Sequence, residues 1–124
     1  MPSSYPALPL SVIRPFLPLA AEWGVSKVAR GERVPALRGG MPINWPRGFI
    51  ACYLRAGGRI RLLPLWWQQE RARFVLRHMA QVRQRQEPLW RADGLPTRRH
   101  LALICWAYSP VPERVTALAR ESGA

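Results

Sequence analysis

Carboxylate, thiol and imidazole side chains are scarce in this chain. The 124 residues include 7 acidic side chains, of which Asp93 is the single aspartate, together with 2 cysteines and 2 histidines. The carboxylates do not recur at a spacing that would build an acid–base pair, and the sequence has neither a nucleophile elbow nor a phosphate-cradling loop. We therefore expect a protein that is not an enzyme and that uses no cofactor.

The side chains best suited to ligate a metal ion are Cys52, His78, His100 and Cys105. Their spacing matches no zinc pattern, because the cysteines are not paired at short range, and no metal site is predicted. The cysteine flanks are apolar and typical of helices, so we expect buried thiols in a reducing compartment. A disulfide, or a Cys–His pair that would support an enzyme, remains an alternative.

Long apolar runs are also missing. No segment reaches the roughly 18 apolar residues of a transmembrane helix. Residues 1–9 lack the positive charge that opens a secretory signal, and Arg14, Pro15 and Pro18 interrupt the next apolar stretch. These features predict a cytoplasmic protein that does not enter a membrane.

Arginine is present in large excess. The chain has 19 basic residues against 7 acidic ones, a net charge of +12, and Lys27 is the single lysine. The guanidinium group meets phosphate or carboxylate with two parallel hydrogen bonds and stacks on rings. The excess favours nucleic acid or an acidic protein surface as the partner, although a GC-rich genome would also enrich arginine. Oligomeric state is not predicted.

The fold predicted is all-α, a single small bundle of about five helices over residues 1–124 with a proline-rich extended arm at residues 1–9. The 48% of hydrophobic residues and the 6 tryptophans suffice for one core. Prolines and glycines punctuate the helical patterns. The predicted helices cover residues 11–23, 26–30, 46–56, 64–84, 97–108 and 113–121. Residues 31–42 are a predicted loop, and the weak alternation at 33–37 and 59–63 leaves a small hairpin as an alternative.

The longest predicted helix has an apolar stripe at helical spacing, which we expect to face the core. The stripe consists of Leu65, Ala72, Val75, Leu76, Met79 and Val82. On the opposite side lie Trp67, Arg71, Phe74, His78, Gln81 and Arg85. Aromatics interleaved with arginines suit stacking on bases or a protein interface. The alternative is that Trp67 and Phe74 pack beneath another helix.

A second candidate site surrounds the glycine after the first helix. The order Ala20, three residues, Gly24, Val25, Ser26 resembles the turn of helix-turn-helix DNA-binding proteins. The resemblance implies that Ser26, Lys27 and Arg30 face the major groove. The chain departs from the family where Arg30 replaces an apolar residue and Gly31 shortens the second helix, so an ordinary corner is the alternative.

A third candidate site is the beginning of the helix predicted at 97–108, with the sequence Thr97, Arg98, Arg99, His100. Arginines are unfavourable at a helix N-terminus by some tenths of a kcal/mol each, and a bound anion would reverse that effect. We therefore predict an anion or phosphate contact there. The alternative is that the arginines point outward or pair with Asp93 or Glu87.

Residues 77–81 and 96–110 together resemble small uncharacterised proteins of bacterial mobile elements. The resemblance implies plasmid, phage or integrated-element biology and supplies no site residues. The sequence thus favours a nucleic-acid-binding accessory protein with an arginine-rich surface. The alternative is a mobile-element-encoded inhibitor or adaptor that binds protein, for example one that blocks a host defence complex.

Overall fold

The computed structural model describes residues 5–27, 29–30 and 48–122. These residues form a helical bundle, as the sequence predicts. Its α-helices are α1 (Leu10–Ile13), α2 (Phe16–Glu22), α3 (Phe49–Arg55), α4 (Leu65–Arg85), α5 (Arg98–Cys105) and α6 (Pro112–Ser122). Within these ranges there is no strand, and one isolated antiparallel bridge joins Trp90 to Pro96. Helix α2 packs on α5, and α1 packs on α6.

Proline determines where several of these helices begin. The helix predicted at 11–23 is divided into α1 and α2 at Arg14 and Pro15. Proline has no N–H to donate to the carbonyl four residues earlier, so a continuous helical hydrogen-bond ladder cannot pass through it. Pro64 precedes α4 and Pro112 begins α6, positions at which the missing N–H costs nothing.

Several predicted bounds are corrected. Within the predicted helix at 26–30, the described residues 26, 27, 29 and 30 are not helical, and the N–H of Arg30 donates to the carbonyl of Ser26 at 2.8 Å. Residues 59–63 contain a 3-10 turn (Ile60–Leu62) and not a strand. Helix α5 ends at Cys105 and not at 108, because Ala107 adopts a φ of 63° that no helix continues.

Two predictions lie outside the described residues, namely the loop at 31–42 and the alternation at 33–37. The helix predicted at 46–56 is observed as Phe49–Arg55, and its first two predicted positions also fall outside. Cys105 is buried, Cys52 is half-buried, and the two do not form a disulfide.

The buried face of the long helix α4 overlaps the predicted stripe only in part and otherwise lies on the side of Trp67, Arg71 and Phe74. Trp67, Phe74 and Val75 are almost completely buried, whereas Leu65 and Leu76 are 65% and 55% exposed. The prediction that Leu65, Ala72 and Leu76 face the core is therefore wrong, and only Val75 and Met79 of that stripe are buried. Aromatic rings remove more apolar area from water than leucine and alanine do, so the aromatic face is the one that packs inward.

A column of stacked rings forms the centre of the core. Its order is Tyr53, Phe49, Trp106, Phe74 and His78, with successive centroids 5.4, 4.9, 4.3 and 4.0 Å apart. The column joins α3, the end of α5 and α4. It begins at Tyr53, whose hydroxyl donates to the carbonyl of Leu8 at 2.8 Å, and it ends at a half-buried imidazole.

Arg71 fixes the extended arm to the bundle. Its side chain is 4% exposed, and its nitrogens donate to the carbonyls of Tyr5, Pro6, Trp106 and Ala107 over 2.8 to 3.3 Å. Burial lowers the pKa of this guanidinium to about 10, with partial compensation from nearby tyrosines, so it stays charged at neutral pH. One cationic side chain thus holds the arm against the end of α5.

Candidate functional site

A cleft of about 350 Å³ lies between the turn after α2, the middle of α4 and the beginning of α5. It brings together two candidate sites that are more than 70 residues apart in the sequence. Its walls are formed by Gly24, Val25, Ser26, Ala29, His78, Glu87, Arg98, Arg99 and Ala102.

The turn after α2 is shaped by its glycine and its serine. Gly24 has a φ of 79°, and the N–H of Val25 closes the turn on the carbonyl of Ala20 at 3.0 Å. The hydroxyl of Ser26 then accepts from the N–H of Ala29 at 3.2 Å. This is the local geometry of an N-cap, which explains why the sequence resembles the beginning of a second helix.

The described residues do not form the second helix that the helix-turn-helix resemblance implies. Arg30 does not project as a groove-reading side chain, because its Nη1 donates back to the carbonyl of Val25 at 2.8 Å. Ser26 and Lys27 are exposed beside the cleft. The ordinary-corner alternative therefore describes this segment better than a recognition helix does.

Thr97 caps helix α5, as predicted. Its hydroxyl accepts from the N–H of His100 at 3.3 Å and donates to the carbonyl of Pro88 at 2.9 Å. Arg98 is exposed, and its Nε donates to the carbonyl of Trp23 at 2.9 Å. The contact ties the beginning of α5 to the end of α2 and leaves the terminal nitrogens of Arg98 beside the cleft.

Arg99 pairs with a carboxylate of its own chain, so its charge does not require an external anion. Its Nε and Nη2 donate to the two carboxylate oxygens of Glu87 at 2.8 and 3.2 Å. This bidentate pair holds the pKa of Glu87 below its usual value. The alternative pairing with Glu87 is confirmed for Arg99, so the unfavourable charge at the helix N-terminus is compensated internally.

The remaining terminal nitrogen of Arg99 determines the tautomer of His78. Nη1 lies 2.7 Å from Nδ1 of the imidazole, and a guanidinium can only donate. Nδ1 therefore accepts, and the proton of the neutral ring is on Nε2. Burial lowers the pKa of His78 to about 4, assisted by the positive charges of Arg99 and Arg77 and opposed by Glu87.

His100 serves the fold. The ring is completely buried, its Nδ1 donates to the carbonyl of Leu89 at 2.9 Å, and its Nε2 accepts from the hydroxyl of Ser109 at 2.8 Å. Burial lowers the pKa of His100 to about 4, so the ring is neutral at physiological pH. Through these two hydrogen bonds the ring connects Leu89, before α5, with Ser109, after α5. It does not line the cleft.

The predicted stacking face is divided between the core and the cleft. Trp67, Arg71 and Phe74 are buried, so they are not available to stack on a partner in this fold. The packing alternative is confirmed for Trp67 and Phe74. His78 lines the cleft, and Arg85, with a side chain that is 64% exposed, lies 3.6 Å from Glu87 near the same end of α4.

Sequence reasoning missed the surface that α4 does expose. Arg73, Arg77 and Arg83 lie on its outer side, together with Gln69 and Gln84. We call these five residues the arginine face. The recurrence of Arg and Gln at helical spacing could have located the arginine face, because such a pattern is typical of a solvated face. The leucines on the same side of the helix obscured that pattern.

A second depression adjoins the cleft, shares Gly24 and Arg98 with it, and is also lined by Glu22. There the guanidinium of Arg91 stacks on the ring of Trp23 at 3.6 Å and pairs with Asp93 at 2.9 Å. The ion pair of Arg91 and Asp93 therefore has little net charge. Arg98 has no ion pair with any residue that the structure describes, so it is the cation that both depressions present to solvent.

Among the described residues, no three His, Cys, Asp or Glu side chains gather as metal ligands. In the same ranges, no helix combines the length and apolar character that crossing a bilayer requires. No protein-family model, no curated protein and no solved structure matches this chain.

Proposed function

We propose that this protein binds nucleic acid through the arginine face of α4. The observation that carries the proposal is a row of exposed guanidinium groups on one helix, two of which have no ion pair among the described residues. Arg77 and Arg83 have no ion pair with any described residue, and all five members of the face are exposed. Arg73, the third arginine of the face, pairs at 2.8 Å with Glu70, which is itself buried.

The spacing of the face suits a phosphate backbone. Arg73 and Arg83 are separated by about 15 Å along the axis, at about 1.5 Å of rise per residue. A DNA duplex presents one negative charge per about 1.7 Å of its axis, so several phosphates lie within reach of one such face. Like charges at Arg73 and Arg77 repel by about 0.2–0.5 kcal/mol in isolation, and a bound polyanion would convert that repulsion into attraction.

The same face favours backbone contacts over base readout. Trp67 and Phe74 are in the core, Trp66 is partly buried against it, and none of the five members of the arginine face is aromatic, so the face itself has no ring with which to stack on a base. Guanidinium and amide groups are what it offers, and these bind phosphate and sugar irrespective of sequence. The proposed activity is therefore sequence-tolerant and strongly dependent on salt.

A protein partner is the second candidate, because the arginine face surrounds an exposed leucine. Leu76 is 55% exposed between Arg73 and Arg77, and Leu65 is 65% exposed at the beginning of the helix. An acidic partner protein with an apolar spot would match this mixture. A mobile-element-encoded inhibitor or adaptor that occupies an acidic surface would use such a face.

A fluorescence polarisation titration with labelled duplex and single-stranded oligonucleotides tests the proposal. We expect saturable binding at low salt that weakens steeply as salt is raised. Leu76→Ser separates the two candidates, since it should leave oligonucleotide binding unchanged and should weaken a protein complex. An absence of binding to any oligonucleotide at low salt would overturn the nucleic-acid proposal.

A further inference from the structure

The cleft beside the turn after α2 has an unusual end wall. His78 is the last ring of the stacked column, and one of its faces is covered by Phe74 at a centroid distance of 4.0 Å. Its Nδ1 edge is taken by Arg99. What the ring can still present is its second face and its Nε2–H edge, and a flat ring placed against that face would extend the column by one member.

The hydrogen-bonding groups of the cleft include both donors and acceptors. Nε2–H of His78 is a donor without a described partner, and its tautomer is determined by Arg99. The carboxylate of Glu87 is held in place by two bonds from Arg99, which leaves further lone pairs that can accept. Side chains that are themselves held by other contacts lose little entropy when a ligand binds.

The remaining walls are formed by small apolar side chains, by Ser26 and by the cations Arg98 and Arg99. Val25, Ala29 and Ala102 supply small apolar side chains, and the volume of about 350 Å³ lies at the lower end of the range for small-molecule sites. At the mouth, a terminal nitrogen of Arg98 lies 3.8 Å from the position that a Cβ on Gly24 would occupy. The Nε of Arg98 is fixed on Trp23, so its two terminal nitrogens are directed by an existing contact.

We infer that this cleft binds one nucleotide, with the base against His78 and the phosphate on Arg98. A flat heterocycle fits the free face of the terminal ring, and its polar edge fits the Glu87 acceptor. The Nε2–H of His78 lies in the plane of its own ring, so it is left to donate to the sugar or to solvent and not to a base stacked on that ring. An anionic group fits the unpaired guanidinium at the mouth. The nucleotide is either a free mononucleotide or one unit of a single strand.

The inference does not depend on the arginine face. His78 lies on the inner side of α4, whereas Arg73, Arg77 and Arg83 lie on its outer side. The cleft can therefore bind a mononucleotide even if α4 binds no backbone. Equally, α4 can bind a backbone even if the cleft binds no mononucleotide, so a negative result for one proposal does not refute the other.

The test is a titration of the full chain with adenosine and uridine monophosphates, monitored by NMR and calorimetry. Ribose 5-phosphate supplies the phosphate without the base, and adenosine supplies the base without the phosphate. We expect a saturable shift of the His78 imidazole with either mononucleotide, and affinity at least about tenfold weaker for each partial ligand. A single-stranded oligonucleotide that competes with the mononucleotide identifies the site as one for a unit of a strand, and failure to compete identifies a free nucleotide.

Two matched pairs of variants locate the binding. Ala29→Leu narrows the cleft, and Ala117→Leu makes the same change on the exposed side of α6. Arg98→Gln removes the cation at the mouth, and Arg120→Gln removes an exposed cation elsewhere. We expect at least about tenfold loss of mononucleotide affinity in the first of each pair and none in the second.

The wild-type titration decides the matter even if Ala29→Leu fails to fold. No saturable shift at His78 with either mononucleotide would overturn the inference. Equal affinity for ribose 5-phosphate and the mononucleotides would also overturn it, because the cleft would then recognise a phosphate alone. Binding that survives Arg98→Gln and Ala29→Leu unchanged would place the nucleotide elsewhere.

Discussion

The Nη1 of Arg99 lies 2.7 Å from Nδ1 of His78, while the same guanidinium holds both carboxylate oxygens of Glu87. The hydrogen-bond donors of Arg99, at the beginning of α5, therefore have one anion and one neutral imidazole as their acceptors. The arrangement couples three side chains that the sequence separates. It also makes the imidazole of His78 a donor on the side that Arg99 does not occupy.

Arg99→Leu should raise the pKa of His78. The variant removes a positive charge that disfavours the imidazolium, and it frees Glu87 to stabilise that cation. Burial, the larger cause, persists, so the new pKa should fall between about 4 and 6.5. An NMR titration of the imidazole protons measures it.

Arg85→Leu is the control for that titration, because Arg85 approaches Glu87 at 3.6 Å without bonding to His78. Its effect on the pKa of His78 should be the smaller of the two. A His78 pKa that is already near 6.5 in the unaltered protein would contradict the account.

Folding stability should decrease on the acid side of neutrality because of His100. Its pKa is lowered from 6.5 to about 4, chiefly by burial, with a smaller effect of Arg114 and an opposing hydrogen bond to Leu89. The unfolded chain therefore binds the proton first. The contribution of His100 to the free energy of unfolding is complete above pH 6.5. It is lost as the pH falls through about 4, and the loss is at most about 3 kcal/mol.

Urea unfolding at neutral pH and near pH 4 measures this loss. His100→Gln should be less stable than the unaltered protein at neutral pH, because it cannot serve both Leu89 and Ser109 in the same geometry. Its stability should also vary less between the two conditions. The pKa of His78 is also lowered to about 4, so His78 adds a contribution of the same sign and only part of the pH dependence should disappear. An unchanged pH dependence in the His100 variant would contradict the assignment.

Arg71→Met should destabilise the fold by more than about 3 kcal/mol. The change leaves the carbonyls of Tyr5, Pro6 and Trp106 without their donor, whereas the carbonyl of Ala107 keeps the N–H of Leu8 at 2.8 Å. Each buried acceptor left unsatisfied costs about 1–3 kcal/mol. Arg77→Met on the exposed side of the same helix should change stability by about 0.5 kcal/mol or less. Chemical denaturation of the two variants compares them directly, and equal losses would show that Arg71 does not anchor the arm.

Arg71 also shows what the sequence could not reveal. Its partners lie 35 to 66 residues away and are backbone carbonyls, which have no residue-type signature. The helical pattern therefore assigns this arginine to a partner face, although its side chain is buried in the bundle. Local patterning cannot identify a cation whose compensation comes entirely from distant main chain.

The orientation of α4 could not be predicted for a related reason. Leu76 and Ala72 satisfy a helical apolar period as well as Val75 and Met79 do, so the period alone leaves two faces in competition. The outcome depends on Trp106, which lies outside the helix and whose ring stacks on Phe74. By contrast, the all-α class and the cap at Thr97 follow from local chemistry, and both are observed.

The sequence predicts the candidate site only as separate fragments. Ser26 and Arg98 each carry the signature of a helix beginning, and the structure brings both to the same cleft. The pairing of Arg99 with Glu87 is one of the alternatives that the sequence leaves open, and it is observed. The cleft itself could not be predicted, because it depends on how α2, α4 and α5 meet.

Binding of a nucleic-acid backbone by the arginine face of α4 is tested most directly by the salt dependence of the affinity. Arg73→Gln, Arg77→Gln and Arg83→Gln should be combined in one variant. Arg14→Gln, Arg55→Gln and Arg120→Gln, all at exposed positions, form a control of equal net charge. The slope of log affinity against log salt should fall in magnitude by about two to three for the first variant, at roughly 0.7–0.9 per phosphate contact, and by less than about one for the control. Equal slopes in the two variants would show that the charge acts diffusely and would contradict a binding face on α4.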